Sequence, residues 1–162
     1  MPAAPARSTL RGPTTLKAST VNRINPKALI VGTSLLLALS ILAGVVLVSL
    51  QGVLLAMEGQ SEEQIIQALA ELAEDDGYLV WSMVLGALVS VLGGHIAARI
   101  AVAYPYFNGL AVGVLGTLVG LAFWSELPLW FNLAGIFVTP ACCVLGAHLA
   151  VLRAGASAGR MG

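Results

Sequence analysis

ALIVGTSLLLALSILAGVVLVSLQGVLLAM, residues 28–57, carries no charged side chain. A helix rises ~1.5 Å per residue, so ~20 residues cross a hydrocarbon core of about 30 Å and this stretch is long enough. Three further apolar stretches follow at 78–103, 107–124 and 129–152. Together they leave little polar material: 58% of the 162 residues are hydrophobic and 10% charged. A soluble domain needs more polar surface than that. The period-two alternation of a membrane β-strand is absent, so the spanning elements are expected to be helices.

The charges around these stretches alternate in sign. Arg7, Arg11, Lys17, Arg23 and Lys27 precede the first; Arg99 ends the second; Arg153 and Arg160 follow the fourth. Glu58, Glu62, Glu63, Glu71, Glu74, Asp75 and Asp76 fill the first connection, and Glu126 stands in the third. By the positive-inside rule both termini are expected in the cytoplasm and the acidic connection outside. The net charge of zero conceals this polarity.

The expected fold is all-α: an integral-membrane four-helix bundle over residues 28–153, with a basic, disordered cytoplasmic tail at 1–27 and a second cytoplasmic tail at 154–162. The first apolar run is too long for the ~7–15-residue core of a signal peptide, which predicts an uncleaved helix. Five scattered basic residues are what topology requires, and no nucleic-acid partner is expected. Within the acidic connection, Ser61-Glu62-Glu63-Gln64 has the form of a capping box. With Ile65, Leu69 and Leu72 at helical spacing, it predicts a short amphipathic helix at 61–76 on the outer face, stopped by Gly77. The acidic spacing does not fit a calcium loop. Tyr78, Trp81, Trp124, Trp130 and Phe131 on the outer side, and Tyr104, Tyr106 and Phe107 on the inner, read as interfacial belts. Pro140 is expected to kink the fourth helix.

An internal repeat runs through the second and fourth stretches. Val91-Leu-Gly-Gly-His-Ile-Ala-Ala98 matches Val144-Leu-Gly-Ala-His-Leu-Ala-Val151 at an offset of 53, and the chain's two histidines, His95 and His148, coincide. Small residues recur at every fourth position: Ser82, Gly86, Ser90, Gly94 and Ala98, then Gly135, Thr139, Cys143 and Ala147. Membrane helices associate through such faces because lipid offers no hydrophobic drive between them. A duplicated two-helix hairpin is expected, packed through these stripes, with a homo-oligomer or larger membrane complex as a partner besides the bilayer.

An ionisable residue in a membrane helix is a functional candidate. His95 and His148 are therefore the candidate cofactor residues: at equal depth on facing helices they could hold a bis-histidine haem or a metal, or simply form interhelical hydrogen bonds. Cys142 and Cys143, adjacent on one helix, point about 100° apart and read as small buried residues. No carboxylate falls within the apolar stretches to act as base or nucleophile, so no catalytic residue, metal site or bound cofactor is assigned and the protein is expected not to be an enzyme. A structural or accessory role is the leading expectation. A small transporter or channel, lined by residues such as Thr33, Ser40, Ser90, Thr117 and Thr139, is the alternative.

The segment Gly93-Gly94-His95-Ile96-Ala97-Ala98-Arg99 resembles one found in a loose group of small bacterial four-helix membrane proteins, where Gly-Gly-aromatic-Ile-Ala-Ala-Arg ends the second helix. Here histidine takes the aromatic position, and Gly146-Ala147 replaces a second Gly-Gly. The resemblance implies the helical fold and a bacterial inner-membrane location, and carries no activity.

Overall fold

The computed structural model describes residues 24–72, 74–101, 103–122 and 127–158. The first 23 residues of the basic tail, Trp124, Glu126 and the last four residues lie outside these ranges, and so do the expectations placed on them. Among the described residues the chain is entirely helical: α1 (Pro26–Met57), α2 (Glu62–Glu71), α3 (Asp76–Ile100), α4 (Pro105–Leu121) and α5 (Leu129–Ala158). Three of these, α1, α3 and α5, are long and apolar enough to cross a membrane; α4, at 17 residues, is shorter.

Local chemistry explains the boundaries. Asn25 caps α1, its Oδ1 accepting from the backbone N–H of Lys27 at 3.0 Å and of Ala28 at 3.4 Å, with Pro26 at the first helical position. This places the helix start two residues before the apolar run begins. Gly59, at φ 82°, turns the chain between α1 and α2. The capping box forms as expected: Ser61 Oγ accepts from Gln64 N–H, and Gln64 Oε1 accepts from Ser61 N–H at 2.9 Å.

Gly77 does not stop α2. Asp75 Oδ1 accepts the N–H of Tyr78 at 2.6 Å and caps α3, so Asp76 and Gly77 belong to the first turn of the next helix. A carboxylate at an N-cap also faces the positive end of the helix dipole, which favours starting α3 there. At its far end α3 stops at Ile100, before 103, because the chain turns through Tyr104 in the left-handed region (φ 55°) into Pro105, which opens α4. α5 runs uninterrupted through Pro140 and continues past Arg153, over residues expected in a tail.

α3 packs against α1, α4 and α5. Gly32 of α1 lies beside Ala97 and Gly93 of α3, and Gly109 of α4 beside Ala147 of α5. α3 and α5 thus run parallel to each other and antiparallel to α1 and α4. One end carries Lys27, Arg99 and Arg153, and the other carries the acids from Glu58 to Asp76. The buried core is made of modest side chains: Leu36, Val89, Ala97, Val112 and Cys143, with Ala98, Ala147 and Ala150 as a second cluster. α2 rests on the acidic end of α1, where Leu69 approaches Gly52.

Candidate functional site

The closest approach is the crossing of α3 and α5. The space a side chain on Gly94 would need is filled by the Cys143 peptide, whose Cα and carbonyl carbon lie 2.6 Å from that point. The space beside Gly146 is filled by the Val91 carbonyl, with the His95 nitrogen at 2.8 Å. Backbone against backbone, the two helices present Cα–H groups towards carbonyl oxygens, a contact that recurs at close helix interfaces. Cys143 is also faced by α4: its carbonyl oxygen lies 3.0 Å from where a Gly109 side chain would begin.

The expected stripes divide at this crossing. Gly94, Ala98, Cys143 and Ala147 are buried there. Towards the acidic end the helices diverge, as straight helices crossing at one point must. Ser82 and Gly86 then look across a cavity at Gly135 and Thr139, and neither Gly86 nor Gly135 has any atom within 4 Å of where a side chain would start. Ser90 lies between, buried and lining the cavity. The volume is about 770 Å³, and Ser40, Gly44, Gly116 and Gly120 line it beside larger apolar side chains such as Leu36, Met83 and Phe131. Three of its hydroxyls bond within their own helices: Ser82 donates to Leu79 O, Ser90 to Gly86 O and Thr117 to Gly113 O. The cavity therefore presents mostly apolar surface, with Ser40, Thr139 and Asn132 as further polar side chains at its wall.

The repeat is not a symmetry of packing. Gly93 faces Leu36 of α1, while its equivalent Gly146 faces α3; Gly94 faces α5, while its equivalent Ala147 faces Gly109 of α4. The crossing pairs Gly94 with Gly146, one residue away from the offset that aligns the sequences.

The two histidines take different partners. His95 Nδ1 lies 3.3 Å from the Gly146 carbonyl, across the crossing. His148 Nδ1 lies 2.9 Å from the Tyr106 hydroxyl of α4, the rings tilted at 30° with centroids 6.1 Å apart. His95 is half-buried and His148 exposed, and their hydrogen bonds go to different elements, α5 and α4. Among the described residues no three His, Cys, Asp or Glu side chains gather where a metal could be held, and Cys142 and Cys143 are free thiols.

Two features escaped the sequence. Asn108 is fully buried and joins distant segments: its Oδ1 accepts the N–H of Asn25 at 2.8 Å, and its Nδ2 donates to Tyr104 O at 3.0 Å. It thereby holds the left-handed turn and the α1 cap together. The second is a cavity of about 650 Å³ at the basic end, lined by His95, Arg99, Pro105 and Arg153 among small apolar residues.

Comparison with protein-family models, with curated proteins and with solved structures finds no match.

Proposed function

We propose that the chain is a multipass inner-membrane protein, basic end in the cytoplasm, that serves as a non-enzymatic structural or accessory component, assembling with copies of itself or within a larger membrane complex. One observation carries the membrane reading: large apolar side chains point outward while small ones fill the interior. Phe137 is 73% exposed, Ile41 69%, Leu88 61% and Leu118 57%, whereas glycine, alanine and cysteine make the closest contacts. In water that distribution would be costly at ~25 cal/mol per Å² of apolar surface; in lipid it costs nothing, and small residues supply the packing. α4, about 25 Å long at ~1.5 Å per residue, is the fourth span, shorter than the ~30 Å core and accommodated by its neighbours or by local thinning.

The accessory reading is supported by the backbone-to-backbone crossing of α3 and α5 and by the Ser82, Ser90 and Thr117 hydroxyls, each bonded to a carbonyl of its own helix. Purification in mild detergent tests it: a partner or second copy at fixed stoichiometry supports it, and solute flux into liposomes reconstituted with the chain alone overturns it. The transporter alternative draws on the 770 Å³ cavity. Its mostly apolar walls and the Gly94–Gly146 crossing towards the basic end argue against a water-filled route.

A further inference from the structure

We infer that the cavity at the basic end is a binding site for a phosphate-bearing ligand, gripped by Arg99 and Arg153 with His95 at its wall. Arg99 and Arg153 come from different helices, α3 and α5, and line one volume of about 650 Å³. Among the described residues, the rest of its wall is uncharged, Ala98, Pro105 and Ala150 included. Small side chains there leave the room that a headgroup or phosphate needs beside the arginines.

Charge and geometry favour an anion with paired oxygens. Guanidinium forks match phosphate bidentately, and two forks from two helices can hold one group from two sides. The acids between Glu58 and Asp76 lie at the opposite end of α3, whose 25 residues span roughly 37 Å. At that separation they make no direct contact with these arginines. Pro105 opens α4 at the cavity and adds the partial positive charge of a helix start, while Arg99 offsets the opposing carbonyl end of α3. His95 donates its Nδ1–H to the Gly146 carbonyl, so Nε2 of the neutral ring is an acceptor and can take a hydrogen bond from a protonated phosphate oxygen. Topology alone asks only for basic residues near the helix ends; it does not ask that two arginines and a histidine share one cavity.

Phosphate chemistry has two sources at this position. One is a phospholipid headgroup of the inner leaflet, which basic pockets between membrane helices bind; the other is a soluble phosphate compound. The lipid source rests on the membrane reading above, and the soluble source does not.

The test uses the full chain in nanodiscs containing phosphatidylglycerol or phosphatidylcholine alone, with retained lipid counted by native mass spectrometry after transfer to detergent. Wild type is compared with Arg99→Gln/Arg153→Gln and with Arg99→Lys/Arg153→Lys; both arginines are exposed, so the core is untouched. Retention of phosphatidylglycerol should fall about thirtyfold in the glutamine pair, and less in the lysine pair, which keeps the charge and loses the fork. If the ligand is soluble, inorganic phosphate alone should raise the melting temperature of wild type and not of the glutamine pair. Equal lipid retention in wild type and the glutamine pair, together with no response to phosphate, overturns the site. Should the chain nevertheless stay in alkali-washed membranes, the membrane reading survives that failure.

Discussion

Gly94 of α3 and Gly146 of α5 face one another's helices reciprocally: each lies against the carbonyl three residues before the other, Cys143 for Gly94 and Val91 for Gly146. No side chain fits between them, so the crossing fixes the distance between the two longest-packed helices. It also sets which parts of the small-residue stripes touch and which open into a cavity.

Gly94→Ala and Gly146→Ala should therefore each lower stability, by about 1–3 kcal/mol from overpacking against backbone that cannot rotate away. Gly86→Ala and Gly135→Ala, with open space around them, should be neutral or slightly stabilising, since alanine favours a helix by up to ~1 kcal/mol. Thermal unfolding of the four variants in one detergent separates the two pairs; equal behaviour would refute the assignment of the crossing. Gly94→Leu should be worse than Val91→Leu for the same reason.

Asn108→Ala should destabilise the basic end by about 1–3 kcal/mol, because it leaves the Asn25 amide and the Tyr104 carbonyl without their side-chain partner. Asn108→Asp keeps the acceptor but sets a buried carboxylate against the Tyr104 and Ala103 carbonyls, so it should cost at least as much as alanine. Hydrogen exchange at the start of α1 reports the outcome: faster exchange of the Asn25 amide is expected, and unchanged protection would contradict the clamp.

The histidines should behave differently from each other. His95→Gln should be mild, since an amide can donate to the Gly146 carbonyl, whereas His95→Leu should cost about 1–2 kcal/mol. Tyr106→Phe removes the partner of the exposed His148 and should cost no more than ~1 kcal/mol. A shared haem predicts instead a Soret band in the purified wild type, lost on either histidine change.

Ser61→Ala should loosen α2 by about 1 kcal/mol through loss of the reciprocal cap, seen as faster amide exchange at Gln64 with α3 and α5 unaffected.

Much of this was legible in the sequence where the determining residues are neighbours. The Ser61–Gln64 box needs only a three-residue spacing, and helical character needs only long apolar runs. The close packing of Gly94 was readable from its place in a small-residue stripe. What periodicity lacks is rotation: it puts Gly86 and Gly94 on one face but cannot say where along that face a second helix crosses. For that reason the alignment of His95 with His148 suggested a pair, while the one-residue difference between repeat and crossing turns His148 towards Tyr106. Asn108 was silent because its partner, Asn25, is 83 residues away. Asp75 and Gly77 were ambiguous because the same residues that end one helix can begin the next.

The central claim, a helical membrane protein with its basic end in the cytoplasm, is tested most directly by cysteine accessibility in intact cells. In a background with Cys142→Ser and Cys143→Ala, Glu74→Cys should react with a membrane-impermeant maleimide added from outside. Arg11→Cys should react only after the membrane is permeabilised. Labelling of position 11 in intact cells with protection of position 74 would contradict the account.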